Sequence, residues 1–177
     1  MLSNYLNIGI SYLIIMIPLT LIIFLLYFGI KSLIKKRVEI KPINILCEFS
    51  WILIVLSILS ITGVLGGDFS VTSIGRGDIH FSFSILEEGL SIATILNIVL
   101  FIPFGFLSAI NFKKLQDKKI YGILIGLIFT ITIEFLQSFT GRFVQLDDII
   151  MNTMGTYIGY SLYIYFLKSN KYIVSPK

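Results

Sequence analysis

Long apolar stretches alternate with short polar segments along this chain. Five of the stretches approach or exceed the roughly 20 apolar residues that an α-helix needs to cross a membrane. Because a bilayer offers the backbone no hydrogen-bond partners, we expect each stretch to be helical. The sequence therefore predicts an all-α, polytopic membrane helix bundle formed by one domain, residues 1–177. Its five transmembrane helices cover about residues 6–30, 45–65, 90–110, 120–139 and 149–167.

The longest connection, between the second and third predicted helices, has a different pattern. Apolar and polar residues alternate on both sides of a Gly-Arg-Gly-Asp sequence at residues 75–78. Such alternation is typical of strands, and glycine and aspartate are typical of tight turns. We expect a small β-hairpin near residues 69–84 that rests on the lipid surface or caps the bundle. A half-buried loop is an equal alternative.

The composition agrees with a membrane protein. Hydrophobic residues make up 56% of the chain and charged residues 14%, whereas soluble domains are about 45–50% apolar and about 25% charged. This excludes a soluble globular enzyme and a disordered chain. Cys47 and His80 are the sole cysteine and histidine. An intramolecular disulfide and a multi-histidine metal site are therefore excluded, and we expect no metal or cofactor.

The basic residues predict an orientation in the membrane. Twelve of the fourteen follow the first, third and fifth predicted helices, and only Arg76 and Arg142 lie elsewhere. The positive-inside rule places the twelve in the cytoplasm, with the amino terminus outside. The net charge of +4 is thereby explained without a nucleic-acid partner. The twelve are Lys31, Lys35, Lys36, Arg37, Lys41, Lys113, Lys114, Lys118, Lys119, Lys168, Lys171 and Lys177.

Polar residues of the last three helices are expected to meet near the outer surface. Glu134 and Gln137 share a helical face by their i, i+3 spacing, and Asp148 and Asn152 share one by their i, i+4 spacing. An intramembrane carboxylate is costly, so a functional site is the default hypothesis. We name Arg142 as the expected partner of Glu134. The candidate binding residues are Asn97, Glu134, Gln137, Arg142, Asp148 and Asn152.

Structural roles for the same residues stay open. Asp147 or Asp148 is a candidate N-cap of the fifth helix, where a carboxylate accepts backbone N–H groups. Asn97 and Asn152 are candidates for hydrogen bonds between helices. Gly122 with Gly126, and Gly155 with Gly159, form GxxxG motifs that favour close helix packing, and these helices are also candidate interfaces of a homo-oligomer.

The order of these polar residues resembles the VanZ-like family over about residues 97–167. The matching segments are 97–106, 133–137 and 147–155, with Arg142 between the last two and Gly159 after them. The resemblance implies a multi-pass protein of the bacterial cytoplasmic membrane. It also implies lowered susceptibility to teicoplanin and related lipoglycopeptides. Carried over by resemblance, the motif falls on Asn97, Pro103, Phe104, Gly105, Glu134, Gln137, Arg142, Asp148, Asn152 and Gly155.

Three kinds of function remain open from the sequence. The first is a non-enzymatic envelope protein whose partners are membrane lipid and a lipoglycopeptide antibiotic or a lipid-linked cell-wall precursor. The second is an intramembrane enzyme in which Glu134 and Asp148 are the catalytic candidates and Arg142 binds a phosphate. No familiar catalytic motif accompanies them. The third is a proton-coupled transporter, although no inverted repeat is visible.

Overall fold

The apolar stretches form α-helices, which confirms the predicted all-α bundle. The computed structural model describes residues 2–34, 41–66, 81–82, 91–140 and 144–174. These residues include a short 3₁₀ helix, Lys113–Gln116, and five α-helices. The α-helices are α1 (Leu2–Ile34), α2 (Pro42–Ile61), α3 (Ile92–Asn111), α4 (Ile120–Ser138) and α5 (Leu146–Val174).

Local sequence determines where α2 and α3 begin and end. Pro42 begins α2, and its restricted φ suits the first helical position. The helix ends four residues before the predicted boundary, because Gly63 (φ 76°) and Gly66 (φ 89°) turn the chain there. The hydroxyl of Ser91 caps α3 by accepting the backbone N–H of Thr94 at 3.1 Å.

A short strand pair joins the segments before α3 and α5. Strand β1 (Phe81–Ser82) pairs in parallel with β2 (Val144–Gln145). The hairpin expected near residues 69–84 falls mostly outside the described residues. The two of its residues that are described pair with a strand 63 residues further along the chain. The pair therefore links the long connection to the segment that leads into α5.

The helices pack in an order that differs from their order in the sequence. α1 packs on α2, α2 on α3, α3 on α5, and α5 on α4. The most extensive of these contacts is between α3 and α5. In the core, Phe101 and Phe104 of α3 meet Ile58 of α2 and Ile133 of α4, and the Phe104 ring stacks 4.4 Å from Phe129. α5 therefore lies between the two helices that precede it.

Glycines allow α3, α4 and α5 to approach closely. A Cβ at Gly155 or Gly159 of α5 would overlap the backbone carbonyls of Ile98 or Ile102 in α3. A Cβ at Gly105 would likewise overlap the backbone of α5. The second GxxxG motif, Gly122 and Gly126, packs α4 against Tyr160 and Thr156 of α5. Both motifs therefore contact neighbouring helices within the chain.

The surface of the bundle is strongly apolar. Leu26 of α1 is 63% exposed and Phe135 of α4 is 61% exposed. Apolar exposure on this scale indicates a lipid-facing surface. Among the described helices, α1 to α4 are long and apolar enough to cross a membrane. α5 falls outside this group, and its crossing stays a prediction. Its polar residues and glycines include Asn152, Gly155, Thr156 and Gly159, which are buried against other helices.

Candidate functional site

The predicted polar residues lie at one end of the bundle. α1, α3 and α5 begin at this end, and α2 and α4 end there. Near the end of α4, Gln137 donates a hydrogen bond of 2.7 Å to the carbonyl of Thr62, directly after α2. We call this end the polar end. At the opposite end, which we call the basic end, Lys31 of α1 pairs with Glu48 of α2 at 2.5 Å.

A short hydrogen bond joins α3 to α5 at the polar end. The Nδ2 atom of Asn97 donates to Oδ1 of Asp148 at 2.6 Å. Both side chains are half-buried. α5 begins at Leu146, so Asp147 and Asp148 lie in its first turn, and the N-cap role considered from the sequence is wrong. A carboxylate in this turn is still favoured by the positive end of the helix dipole.

A buried pair joins α4 to α5 one turn deeper. The Nδ2 atom of Asn152 donates to Oγ1 of Thr130 at 3.0 Å. Thr130 is fully buried and Asn152 is 3% exposed. The backbone carbonyl of Asn152 also accepts the hydroxyl of Thr156 at 2.9 Å. Because hydrogen bonding in hydrocarbon replaces no bond to water, such pairs hold membrane helices together.

Glu134 lies at the polar end of α4 and is buried. It is 3% exposed, and its Oε2 accepts the backbone N–H of Gln145 in strand β2 at 3.0 Å. Glu134 follows Thr130 by four residues, and Asp148 precedes Asn152 by four. The two helices run antiparallel, so each carboxylate lies about 6 Å along its helix from the Thr130–Asn152 contact. Glu134 and Asp148 therefore lie at the same level of the bundle.

The structure brings most of the candidate binding residues to the polar end, but through separate contacts. Asn97 meets Asp148, whereas Asn152 meets Thr130 and Gln137 meets the Thr62 carbonyl. Arg142, the expected partner of Glu134, lies outside the described residues. The sequence analysis missed Thr130, although its i, i+4 spacing to Glu134 places both on one face of α4. It also missed the two backbone groups that bind these side chains, the Thr62 carbonyl and the Gln145 N–H. No sequence pattern indicates such backbone partners.

Some hydrogen-bonding capacity remains unused inside the described part of the bundle. Asn152 Oδ1 and Thr153 Oγ1 are buried and have no hydrogen-bond partner among the residues that the structure describes. Such atoms are expected to have a partner in native structures. The two oxygens can therefore accept or exchange a hydrogen bond with a ligand or a water molecule. The same part of the chain contains no group of three acidic, His or Cys side chains able to hold a metal ion.

A family model described as VanZ/LLP1 matches residues 10–168 of the chain. The chain belongs to the VanZ/LLP1 family. The match begins within α1 and ends within α5, so it includes the first two helices, which carry none of the motif residues named from the sequence. It thus extends well beyond the resemblance at residues 97–167. Gly105 and Gly155, which the resemblance assigned to the motif, lie where α3 and α5 touch.

One relative of this VanZ/LLP1 family protein is Protein VanZ from Enterococcus faecium. The two are 34% identical over 68 residues. The aligned segment is 38% of this chain and 41% of that relative, so the chain spans less than half the relative's length. No solved structure matches the chain. The comparisons thus establish a VanZ-like membrane protein.

Proposed function

We propose that this protein crosses the bacterial cytoplasmic membrane several times and lowers susceptibility to teicoplanin-type lipoglycopeptides through its polar end. The observation that carries the proposal is the burial of Glu134 within an apolar helix. A charged side chain at the centre of a membrane helix costs about 3 kcal/mol. Near a helix end the cost is lower, and carboxylates within membrane helices are typical of functional sites.

The surroundings of Glu134 support a binding role. The carboxylate accepts a backbone N–H from β2, and the Asn97–Asp148 hydrogen bond connects the neighbouring helices. Polar side chains therefore line the polar end, while apolar surface continues below it. This combination suits an amphiphile whose polar part forms hydrogen bonds and whose tail enters the membrane. The family match and the VanZ relative add support for a lipoglycopeptide as that amphiphile.

Drug susceptibility of a sensitive Gram-positive host tests the proposal. We expect the wild type to raise the inhibitory concentration of teicoplanin and to leave vancomycin, which has no lipid tail, unchanged. Glu134→Leu is expected to abolish the protection because it removes every hydrogen bond at this position. Glu134→Gln keeps two acceptor lone pairs and is expected to retain part of it.

Glu48→Leu is the matched control, because Glu48 is the carboxylate that pairs with Lys31 at the basic end. At equal membrane levels, this variant should protect as the wild type does. Equal loss in Glu48→Leu and Glu134→Leu would contradict a role for the polar end. No shift by the wild type for either drug would contradict the antibiotic proposal itself.

An intramembrane enzyme that acts on a lipid-linked envelope precursor is the second candidate. One observation favours it: Glu134 and Asp148 lie at the same level on adjacent helices, as an acid–base pair requires. Glu134→Gln separates the two candidates, since an amide keeps hydrogen bonds but transfers no proton. In an enzyme, this variant would lose all protection while still binding labelled drug or precursor. In a binding protein, protection and binding would fall together.

A further inference from the structure

An apolar groove lies between α1, α2 and α3 and opens beside the polar end. Its volume is about 400 Å³, within the range of about 300–1,000 Å³ that ligand pockets occupy. Most of its lining is aliphatic. Asn97 of α3 lies at its border, and the same side chain donates to Asp148. The groove therefore has a polar border at Asn97 and a mostly apolar interior that also includes Ser57.

The length of the groove matches one leaflet of a membrane. On α1 the lining extends from Tyr5 to Leu13, and on α2 from Ile54 to Ile61. At 1.5 Å per residue these segments measure about 12 Å and about 10 Å. The hydrocarbon core of a bilayer is about 30 Å thick, so one leaflet contributes about 15 Å. With the polar end at one membrane surface, the groove would extend over about one leaflet.

We infer that this groove binds one hydrocarbon chain of a membrane phospholipid, with the lipid headgroup beside Asn97 at the polar end. Ile8, Ile10 and Val99 line the groove and are about half exposed, so a chain can enter sideways from the surrounding leaflet. A helix of a second copy is about 10–12 Å wide. To bind one, the groove would have to extend along the whole bundle. The groove has the depth of a single leaflet, which favours a lipid chain.

Gly9 offers a direct way to fill the groove. It lines the groove on α1, and a Cβ built there meets nothing within 4 Å. Because the added Cβ meets open space, we expect the ring of Gly9→Phe to occupy part of the groove. Gly29 is the matched control, because it lies on the same helix, has the same open surroundings and does not line the groove. Both changes raise helix propensity equally.

The test uses the full-length protein in nanodiscs that contain phosphatidylglycerol with a photoreactive diazirine in one acyl chain. After irradiation, mass spectrometry locates the lipid adducts. We expect the wild type and Gly29→Phe to carry adducts on the groove segments 5–13, 54–61 and 96–103. In Gly9→Phe these adducts should fall at least fivefold, while adducts on other lipid-facing segments stay constant. Gly9→Leu provides the same comparison if the phenylalanine variant fails to fold.

Two results would overturn the inference. Equal labelling of the groove in all variants would show only ordinary lipid contact at the protein surface. A wild type without adducts on the groove segments, but labelled on other lipid-facing segments, would show that the groove binds no lipid chain. The lipid assay contains no antibiotic, so its outcome is independent of the drug susceptibility test.

Discussion

At the residue scale, buried and half-buried polar side chains connect α3, α4 and α5. Each connection uses one amide and one oxygen acceptor, as in Asn97–Asp148 and Asn152–Thr130. In a bundle whose surface is apolar, these bonds specify which helix faces meet. Glu134 also accepts the backbone N–H of Gln145 in strand β2. The two pairs thus have a structural role, and the functional role of Glu134 stays a proposal.

The Thr130–Asn152 pair should show direct energetic coupling. We expect Thr130→Val and Asn152→Ala each to lower the free energy of unfolding by about 1–3 kcal/mol, because each leaves a buried polar partner. The double variant should lose about 1 kcal/mol less than the sum, which is typical of interhelical bonds. Reversible unfolding in mixed detergent micelles measures all four proteins. Strict additivity would show that the two side chains do not stabilise each other.

At the scale of elements, the contact between α3 and α5 is the central feature. Gly105, Gly155 and Gly159 bring the two backbones together, which allows Asn97 to reach the first turn of α5. α4 then packs on the other side of α5 through Gly122 and Gly126. The hydrophobic effect does not favour association of helices within lipid, so van der Waals contacts from close packing stabilise the association instead. The polar end therefore depends on the glycines one to three turns away.

Gly159→Ala should destabilise the protein strongly. The added Cβ overlaps the Ile102 carbonyl, a backbone atom that cannot rotate away. We expect the free energy of unfolding to fall by about 1–3 kcal/mol, as for an overpacked core. Gly29→Ala, which meets open space, should leave it unchanged or slightly higher. Detergent-solubilised thermal unfolding compares the two, and equal stability would contradict the α3–α5 contact.

The positions of the helices could be predicted from the sequence, whereas the contacts between the helices could not. Hydropathy located all five helices, because burial of backbone polar groups in lipid requires long apolar helices. The GxxxG spacing indicated close packing but gave no partner, and the role of Gly105 was not foreseen. The start of α5 was misplaced by three residues because the aspartates at 147 and 148 resemble a cap. Strands of two residues, such as β1 and β2, are too short for any alternating pattern.

At the scale of the whole molecule, the two ends of the bundle differ in chemistry. The polar end contains the carboxylates of Glu134 and Asp148 and the amide side chains of Asn97 and Gln137. At the basic end, Asn111 of α3 donates to the Cys47 carbonyl of α2 at 3.0 Å, and Tyr160 of α5 donates to the backbone around the 3₁₀ helix. Lysines of the helix ends and loops collect at this end, including Lys31, Lys41, Lys113, Lys114, Lys118 and Lys119. By the positive-inside rule, we expect the basic end to face the cytoplasm and the polar end to face outward.

The orientation of the polar end is the central claim, because both candidate functions depend on it and because it determines in which leaflet the groove lies. Single cysteines in a Cys47→Ala background test it with a membrane-impermeant maleimide. Gln145 is exposed at the polar end and Lys114 is exposed at the basic end. In intact cells we expect Gln145→Cys to be labelled and Lys114→Cys to be labelled only after permeabilisation. Labelling of Lys114→Cys in intact cells, with Gln145→Cys protected, would contradict the account.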